Sequence, residues 1–487
     1  MKINVPKSVG SIAKLLSTKV FTKAMGVIVL AIYTRLLTKD ELVVIPLFFM
    51  LTSIAAIPLN FGIYPILVKK LPLMLKNDIS EGKKLFWTCA SFLSVGGLIV
   101  SVLIYLFSDF LAELLLNSNE QKIIIELTSI ACFLFVIESI ADRLLWATER
   151  FGKTARIQLT IAIVRPIITI SCYFSFGLMG LVGGLVLSQL LTTLLSTYYI
   201  RDYLFKEKPQ FLALPPVLKE SLPFYAESFL MYFRREGDNW FVTVVLGPTS
   251  LSIYYVAKTV YTAFNAIYDA IDRVIVTRYA KEFENKDFKN TIQKTNDYLV
   301  QIIIPFIFIS ITFLPVAILL VGGNEFAGAI YPASILLLAL LISIMRIPLN
   351  RAMFVATKSK FRLYMTLTES IFLGLSLALL APYYGIAGIA ISRVIAQIGG
   401  AAYGVIMVGH ILNIYLRYKL FFTVLILSTL SFSLVYFSAN AIFAANSNIL
   451  IVAIYGLICW LLSYGVLSFL FNKDLPKTIY SLINKNV

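Results

Sequence analysis

Long apolar stretches alternate with short polar ones from end to end of the 487-residue chain. A helix needs about 20 apolar residues to span a bilayer, and fourteen stretches are of this kind. They cover about residues 11–37, 41–68, 85–107, 123–147, 156–175, 178–200, 218–246, 250–277, 296–321, 328–354, 362–381, 385–408, 418–438 and 448–471. The pattern predicts an all-α polytopic membrane protein with fourteen transmembrane helices.

Composition supports this class and argues against several others. Apolar residues make up 59% of the chain and charged residues 14%, whereas soluble domains have roughly 25% charged residues. His410 is the only histidine, which excludes a histidine relay within one chain. The four cysteines lie in apolar stretches without metal-ligand spacing, and the sequence has no catalytic-triad or phosphate-loop pattern. We therefore expect neither an enzyme nor a bound metal or organic cofactor.

The loop charges predict the orientation of the chain. Lys and Arg are frequent in the loops on one side, as in 69–84, 150–156, 201–219 and 278–294. The loops on the other side contain neither residue, apart from Lys39 and Lys122 near helix edges, and they are 108–121, 175–177, 247–250, 322–328 and 438–448. Because short cytoplasmic loops carry the excess of Lys and Arg, both termini are predicted to be cytoplasmic. Most of the +16 net charge is then a topology signal, and we expect no nucleic-acid binding.

The chain also repeats itself, at an offset of about 209 residues. Ala147-Thr148, followed by Gly177-x-x-Gly180, returns as Ala356-Thr357, followed by Gly385-x-x-Gly388. An offset that covers an even number of helices predicts parallel repeats, which in transporters usually place a substrate site between two lobes. The predicted division is an N-terminal lobe at 1–204 with helices one to six, a cytoplasmic linker at 205–217, a C-terminal lobe at 218–416 with helices seven to twelve, and two appended helices with a cytoplasmic tail at 417–487.

The seventh stretch, 218–246, is interrupted by four ionisable side chains within five residues. It contains Phe233-Arg234-Arg235-Glu236-Gly237-Asp238-Asn239-Trp240. An ionisable group in hydrocarbon costs about 2.5 to 17 kcal/mol unless it faces protein partners or water. The other helices therefore have to enclose a polar space around this segment, which is typical of a transporter.

Two more segments complete a family resemblance. They are Tyr33-Thr34-Arg35-Leu36-Leu37-Thr38-Lys39-Asp40-Glu41 and Ala147-Thr148-Glu149-Arg150-Phe151-Gly152-Lys153. With these segments and its arrangement of six plus six helices in parallel repeats and two appended helices, the chain resembles the Wzx-type polysaccharide flippases of the multidrug/oligosaccharidyl-lipid/polysaccharide exporter superfamily. The resemblance implies a multi-pass protein of the bacterial inner membrane that turns undecaprenyl-pyrophosphate-linked oligosaccharide, an O-antigen or capsule repeat unit, between leaflets by alternating access. The chain departs from many relatives at Leu42-Val43-Val44-Ile45, where they carry Gly-Tyr or Gly-Leu-Tyr.

Moving a lipid pyrophosphate requires cations for its phosphates. Arginine binds phosphate oxygens at two points, whereas lysine acts as a point charge. Structural roles compete with this one, since Lys19 can reach the membrane surface, Arg165 can form an ion pair, and Asp238 can pair with Arg234 one turn away or with Lys258. The candidate substrate-binding residues at membrane depth are Lys19, Lys23, Arg165, Arg234, Arg235, Lys258, Arg346 and Arg393.

The lack of a nucleotide motif in the sequence favours a proton or sodium gradient as the energy source. A buried carboxyl group can exchange protons near neutral pH, although such groups more often neutralise arginines. The candidate ion-coupling residues are Glu236, which is the first choice, and Asp238, Glu138 and Glu369.

The resemblance also implies partners, and several rival functions have to be weighed against it. It implies a monomer whose partners are a lipid-linked oligosaccharide, membrane lipids and polysaccharide polymerases. A lipid II or teichoic-precursor flippase shares the chemistry and differs in the sugar. A multidrug cation exporter shares the architecture but needs net acidic cavities. A membrane glycosyltransferase or polymerase needs a larger external loop than 108–121, or external acidic catalytic residues.

Overall fold

The computed structural model describes residues 6–56, 60–204, 210–283, 288–356, 359–412, 414, 418–445 and 449–471. Within these residues the regular structure is helical, with no strand. The sixteen α-helices are α1 (Pro6–Leu36), α2 (Lys39–Leu42), α3 (Val44–Ala56), α4 (Ile63–Asn77), α5 (Ile79–Leu106), α6 (Ser108–Leu116), α7 (Lys122–Ala147), α8 (Phe151–Leu204), α9 (Leu214–Phe241), α10 (Pro248–Glu282), α11 (Phe288–Gly322), α12 (Ile330–Met345), α13 (Ile347–Val355), α14 (Ser359–Leu412), α15 (Tyr418–Ala445) and α16 (Ile449–Phe471). The prediction of an all-α chain is confirmed.

Seven helical segments in the described part of the chain are long and apolar enough to cross a membrane. They are Ile79–Leu106, Asn119–Ala147, Phe151–Asp202, Phe288–Gly322, Asn324–Val355, Leu363–Leu412 and Lys419–Tyr436. Two of them contain 52 and 50 residues, which is more than twice what one crossing requires. Each of these two therefore has to turn back on itself. The fourteen crossings and their orientation remain predictions.

One glycine makes the turn inside each of these two long helices. Gly177 in α8 has φ 58° and ψ −142°, and Gly385 in α14 has φ 55° and ψ −137°. A residue with a Cβ is strained in this region of backbone space, so glycine is required at both turns. Across the turns, Gly184 lies against Thr169 in α8 and Gly388 lies against Leu380 in α14. Each long helix is thus an antiparallel hairpin, and the first turn falls where the predicted fifth and sixth stretches meet.

Two predicted segments differ from the structure. The stretch 41–68 is not one helix, because the chain leaves helical geometry at Phe61 and Gly62, with φ of 41° and 75°, between α3 and α4. The segment 108–121 is not an open loop, because α6 fills Ser108–Leu116 and buries Ala112, Leu115 and Leu116. Both corrections concern short helices that an apolar-length criterion does not detect.

The chain forms two compact units, Met1–Tyr255 and Val256–Val487. In the first unit α7 packs on α3, α5 and α8, with Leu93 and Ile125 in the core. In the second unit α12 packs on α11 and α14, with Leu337 and Leu340 in the core. The boundary between the two units falls within α10. The predicted lobes, with their linker at 205–217, remain a prediction.

Candidate functional site

A cavity of about 390 Å³ lies within the first unit and is lined chiefly by α1 and α8, with further residues from α3, α7 and α10. Its charged side chains are Arg165 from α8 and Glu138 from α7. Most other lining residues are apolar, and the uncharged polar ones are Thr22, Tyr33, Gln158, Thr192 and Tyr255. The volume lies within the range of small-ligand sites, about 300–1,000 Å³.

Arg165 reaches this cavity because of its place on the α8 surface. The residues of α8 that line the cavity before it, from Ile157 to Ala162, recur at spacings of three and four, and such positions share one face of a helix. The Cζ atom of Arg165 lies 5.3 Å from the centroid of the Phe49 ring, a cation–π geometry. Its Nε is buried without a hydrogen-bond partner among the described residues. Since an unmade hydrogen bond of a buried donor costs about 1–3 kcal/mol, Arg165 is suited to bind an oxygen of an anionic ligand.

Glu138 shares the cavity with Arg165 and is held by a hydrogen bond. Its Oε2 accepts from Nε2 of Gln189 at 2.6 Å, and Gln189 is almost fully buried. The ion pairs of the described residues do not include one between Glu138 and Arg165. The carboxylate is therefore fixed in orientation and near enough to influence Arg165 electrostatically without occupying its donors.

A smaller cavity of about 170 Å³ adjoins the first. Glu138, Ile157 and Gln158 line both cavities. Asp142 and Arg143 add charge, and the hydroxyl groups of Ser139, Thr154 and Ser196 complete the polar lining. Sequence reasoning missed these residues apart from Glu138. The available signal was the spacing of four residues from Glu138 to Asp142 and from Thr154 to Gln158, which places each pair on one helix face.

The charged segment of α9 makes hydrogen bonds with its own neighbours. Asp238 is fully buried and accepts from the Tyr254 hydroxyl at 2.6 Å and from the Asn239 backbone N–H at 3.0 Å. Glu236 accepts from Nε of Arg235 at 3.0 Å and from Nδ2 of Asn239 at 2.8 Å. The side chain of Arg235 is 62% exposed. Both carboxylates, which are two of the four ion-coupling candidates, therefore bind protein donors.

The second unit contains a buried ion pair. Nη1 of Arg346 contacts Oε1 of Glu369, and the two side chains are 4% and 1% exposed. Arg346 stands at the break between α12 and α13, and Glu369 lies on α14. Gly400 leaves room for the pair, since a Cβ at that position would come within 2.6 Å of Nη1 of Arg346. The sequence assigned the two residues to separate roles, and the structure brings them together.

The remaining predicted site residues differ in burial. Arg393 is buried at 7% exposure, and Lys23, Arg234 and Lys258 are half-buried. The side chain of Lys19 lies outside the described residues. Of the predicted site residues, the described contacts thus join Arg235 with Glu236 and Arg346 with Glu369, while Arg165 and Glu138 share one cavity.

Comparisons with known proteins concern the family and the fold of the chain. Residues 32–331 match the model of a family described as polysaccharide biosynthesis protein. A Shigella flexneri protein provisionally named an O-antigen transporter is 22% identical over 259 residues, 49% of this chain and 59% of the relative, so less than two thirds of that relative is spanned. The lipid II flippase MurJ in its inward closed conformation superposes with a TM-score of 0.76 at 16% identity, over 95% of this chain and 99% of MurJ. An inward-facing multidrug resistance MATE transporter of the MOP superfamily gives 0.58 at 14% identity, over 82% and 97%. At these identities the two structures establish the fold, which is that of MurJ and MATE transporters.

Proposed function

Because the chain belongs to the polysaccharide biosynthesis protein family, we propose that it is a flippase for a lipid-linked oligosaccharide in the bacterial inner membrane. Its substrate is an undecaprenyl-pyrophosphate-linked repeat unit of O-antigen or capsule. The name of the Shigella flexneri relative supports this glycan class. Family and fold both support transport rather than catalysis.

The observation that carries the proposal is the cavity around Arg165. A pyrophosphate needs a cation with a donor to spare, and the Nε of Arg165 is buried without a hydrogen-bond partner in the described part of the chain. Charge-assisted hydrogen bonds from arginine to phosphate are among the strong ones. The hydroxyl and amide groups of the lining suit the hydroxyls of a sugar, and the rings of Tyr33, Phe49 and Tyr255 also line the cavity.

The transport cycle in this proposal is alternating access driven by a proton or sodium gradient. The chain crosses the membrane fourteen times as parallel repeats, with both termini cytoplasmic. The turns at Gly177 and Gly385 support the repeat, because they have nearly the same dihedral angles and lie 208 positions apart. The loop charges support the orientation. The protein acts as a monomer alongside polysaccharide polymerases.

Reconstituted flipping tests the proposal. Purified protein in liposomes is given a fluorescent polyprenyl-pyrophosphate oligosaccharide, and exchange between leaflets is followed under imposed proton and sodium gradients. Arg165→Gln should slow exchange by about tenfold or more, since a hydrogen bond to a charged group contributes about 1.5–3 kcal/mol and about 1.4 kcal/mol is a factor of ten. Arg201→Gln is the matched control, because Arg201 is an exposed arginine on the same helix, over the Tyr198 ring.

Two results would contradict this function. The first is wild-type protein that moves no substrate under either gradient. The second is Arg165→Gln protein that remains folded and flips at the wild-type rate. Lipid II, added in a parallel set of liposomes, tests the second candidate, which the MurJ-like fold favours. Preferential movement of lipid II would replace the O-antigen assignment while keeping the flippase.

A further inference from the structure

Two buried polar groups of the smaller cavity lack hydrogen-bond partners. The hydroxyl of Thr154, a residue 2% exposed, has no such partner among the described residues, and the same holds for the buried Nε of Arg143. Both residues line the cavity. Because nearly all buried polar groups in proteins are paired, these two groups indicate that the cavity takes a polar ligand.

The guanidinium of Arg143 is restrained by a contact that is not a hydrogen bond. Its Cζ atom lies 5.3 Å from the centroid of the Tyr64 ring, a cation–π geometry. Attraction to the face of the ring limits the movement of the guanidinium and uses none of its N–H donors. The Nε of Arg143 is thus held in position and remains able to donate to a ligand.

The lining of the smaller cavity suits hydroxyl groups better than it suits an anion. The carboxylates of Glu138 and Asp142 accept hydrogen bonds, and Arg143 donates them. The hydroxyl-bearing residues, which can do both, are Ser139, Thr154 and Ser196. A sugar hydroxyl also donates and accepts, whereas phosphate oxygens chiefly accept, and two carboxylates beside one guanidinium repel an anion. The cavity therefore favours an uncharged sugar ring.

The two cavities adjoin along one face of α8. Thr154 and Gln158 line the smaller cavity, and Gln158, Ile161 and Arg165 line the larger one. Spacings of four, three and four residues place these positions on one side of the helix. At about 1.5 Å per residue, the helix from Thr154 to Arg165 is about 16 Å long. A phosphate at Arg165 and a sugar ring bonded to it can therefore occupy neighbouring cavities.

We propose that the smaller cavity binds the sugar linked directly to the pyrophosphate, and that Arg143 and Thr154 form hydrogen bonds with its hydroxyl groups. This assignment rests on the proposed function, in which Arg165 holds the phosphate. Arg143 and Thr154 each lie about one turn from the connection between α7 and α8, which the loop charges predict to be cytoplasmic. Arg165 then recognises what all lipid pyrophosphates share, and the smaller cavity selects the first sugar.

Binding of farnesyl pyrophosphate and of its glycosides isolates the contribution of the sugar. The full-length protein in detergent micelles is titrated by calorimetry with farnesyl pyrophosphate and with farnesyl-pyrophosphate-linked glucose, galactose and N-acetylglucosamine. The wild type should bind at least one glycoside about tenfold or more tightly than farnesyl pyrophosphate, the equivalent of one hydrogen bond to a charged group. Equal affinities for all four ligands would refute the sugar site.

Variants show where the sugar binds. Arg143→Gln and Thr154→Val should each remove most of the preference for the glycoside and leave the affinity for farnesyl pyrophosphate unchanged. Arg165→Gln should weaken the binding of both ligands by the same factor, so their ratio persists. A preference that survives in both Arg143→Gln and Thr154→Val would place the sugar outside the smaller cavity and overturn the inference.

Two matched controls and one stability measurement separate ligand binding from structural damage. Thr128→Val changes a fully buried threonine of α7 outside both cavities, and Arg201→Gln changes an exposed arginine of α8. Both should keep the full preference for the glycoside. Thr154→Val should not lower the thermal unfolding temperature of the free protein, because the lost hydroxyl has no partner in the described part of the chain. A lowered unfolding temperature would assign Thr154 a structural role and contradict its role in binding.

A further measurement decides the sugar site even if farnesyl pyrophosphate does not bind, a result that would count against the proposed function. Thermal unfolding is followed with the methyl glycosides of the same three sugars, and sorbitol at equal concentration corrects for general stabilisation by osmolytes. A ligand that binds only the folded state raises the unfolding temperature. An increase beyond that of sorbitol should occur in the wild type and be absent in Arg143→Gln. No excess for any glycoside, or the same excess in Arg143→Gln, would then refute the site.

Discussion

Glu369→Gln is expected to destabilise the second unit by about 3–5 kcal/mol, the usual cost of removing one partner from a buried ion pair. Its partner Arg346 is 4% exposed, and Glu369 itself is 1% exposed, so water cannot replace the lost carboxylate. Glutamine has nearly the same shape and keeps one acceptor oxygen. The loss of stability therefore measures the missing charge compensation of Arg346 and not an empty space in the core. We expect it near the lower end of the range, at about 3 kcal/mol.

Two further variants serve as comparisons for the effect of Glu369→Gln on stability. Glu220 pairs with Lys70 at side-chain exposures of 48% and 42%, and Glu220→Gln should cost only about 0–1 kcal/mol, as exposed ion pairs do. The double variant Arg346→Met with Glu369→Leu removes both charges. Replacing a buried pair by apolar side chains is neutral or stabilises by about 1–4 kcal/mol, so the double variant should be more stable than Glu369→Gln alone.

The assay is SDS titration of purified protein in micelles, followed by tryptophan fluorescence. Trp460 is buried in the second unit and reports on that unit in a background where the other tryptophans, Trp87, Trp146 and Trp240, are phenylalanine. Equal losses for Glu369→Gln and Glu220→Gln would refute the view that Arg346 depends on a buried counter-ion. So would a double variant no more stable than Glu369→Gln.

Further predictions concern the turns and the α9 cluster. Gly177→Ala and Gly385→Ala should each lower the free energy of unfolding by about 1–3 kcal/mol, because alanine is strained at their dihedral angles, whereas Gly183→Ala on α8, with open space at its Cβ position, should be neutral or stabilise by up to about 1 kcal/mol. Chemical unfolding checks the three, and equal effects would show that turn geometry does not demand glycine. Tyr254→Phe should cost about 1.5–3 kcal/mol through the lost hydrogen bond to the carboxylate of Asp238, and unchanged stability in the same assay would contradict that value.

The helical class and the turn between the fifth and sixth stretches could be predicted because both have local signals. Apolar length marks a span, and Gly177 interrupts one where the predicted stretches meet. The break at Phe61 and Gly62 also has a local signal, because Pro58 and Gly62 both disfavour a continuous helix. Apolar length alone nevertheless counts 41–68 as one span. Helix α6 was missed for the opposite reason, because its nine residues are too short to count as a span.

The candidate site was also only partly predictable from the sequence. Buried ionisable residues could be recognised by their predicted depth, and Arg165 and Glu138 were both proposed on that ground. Their partners could not be named, because packing between helices chooses them: Gln189 is 51 positions from Glu138. Asp142 and Arg143 were missed since they stand near the end of an apolar stretch, where charge is ordinary. Only the cavity that they line distinguishes them from surface residues.

The two units differ in charge at matching positions, and this difference concerns how each buried charge is compensated. An offset of 208 positions, one less than the offset from Ala147-Thr148 to Ala356-Thr357, relates Gly177 to Gly385, Gln189 to Gln397 and Glu138 to Arg346. In the first unit the matching position holds a carboxylate that faces two cavities. In the second it holds an arginine whose guanidinium is buried against Glu369. A charge already compensated inside the protein gains little by binding a ligand, since the ligand would have to break the pair. The Arg346 pair therefore holds α14 against the break between α12 and α13.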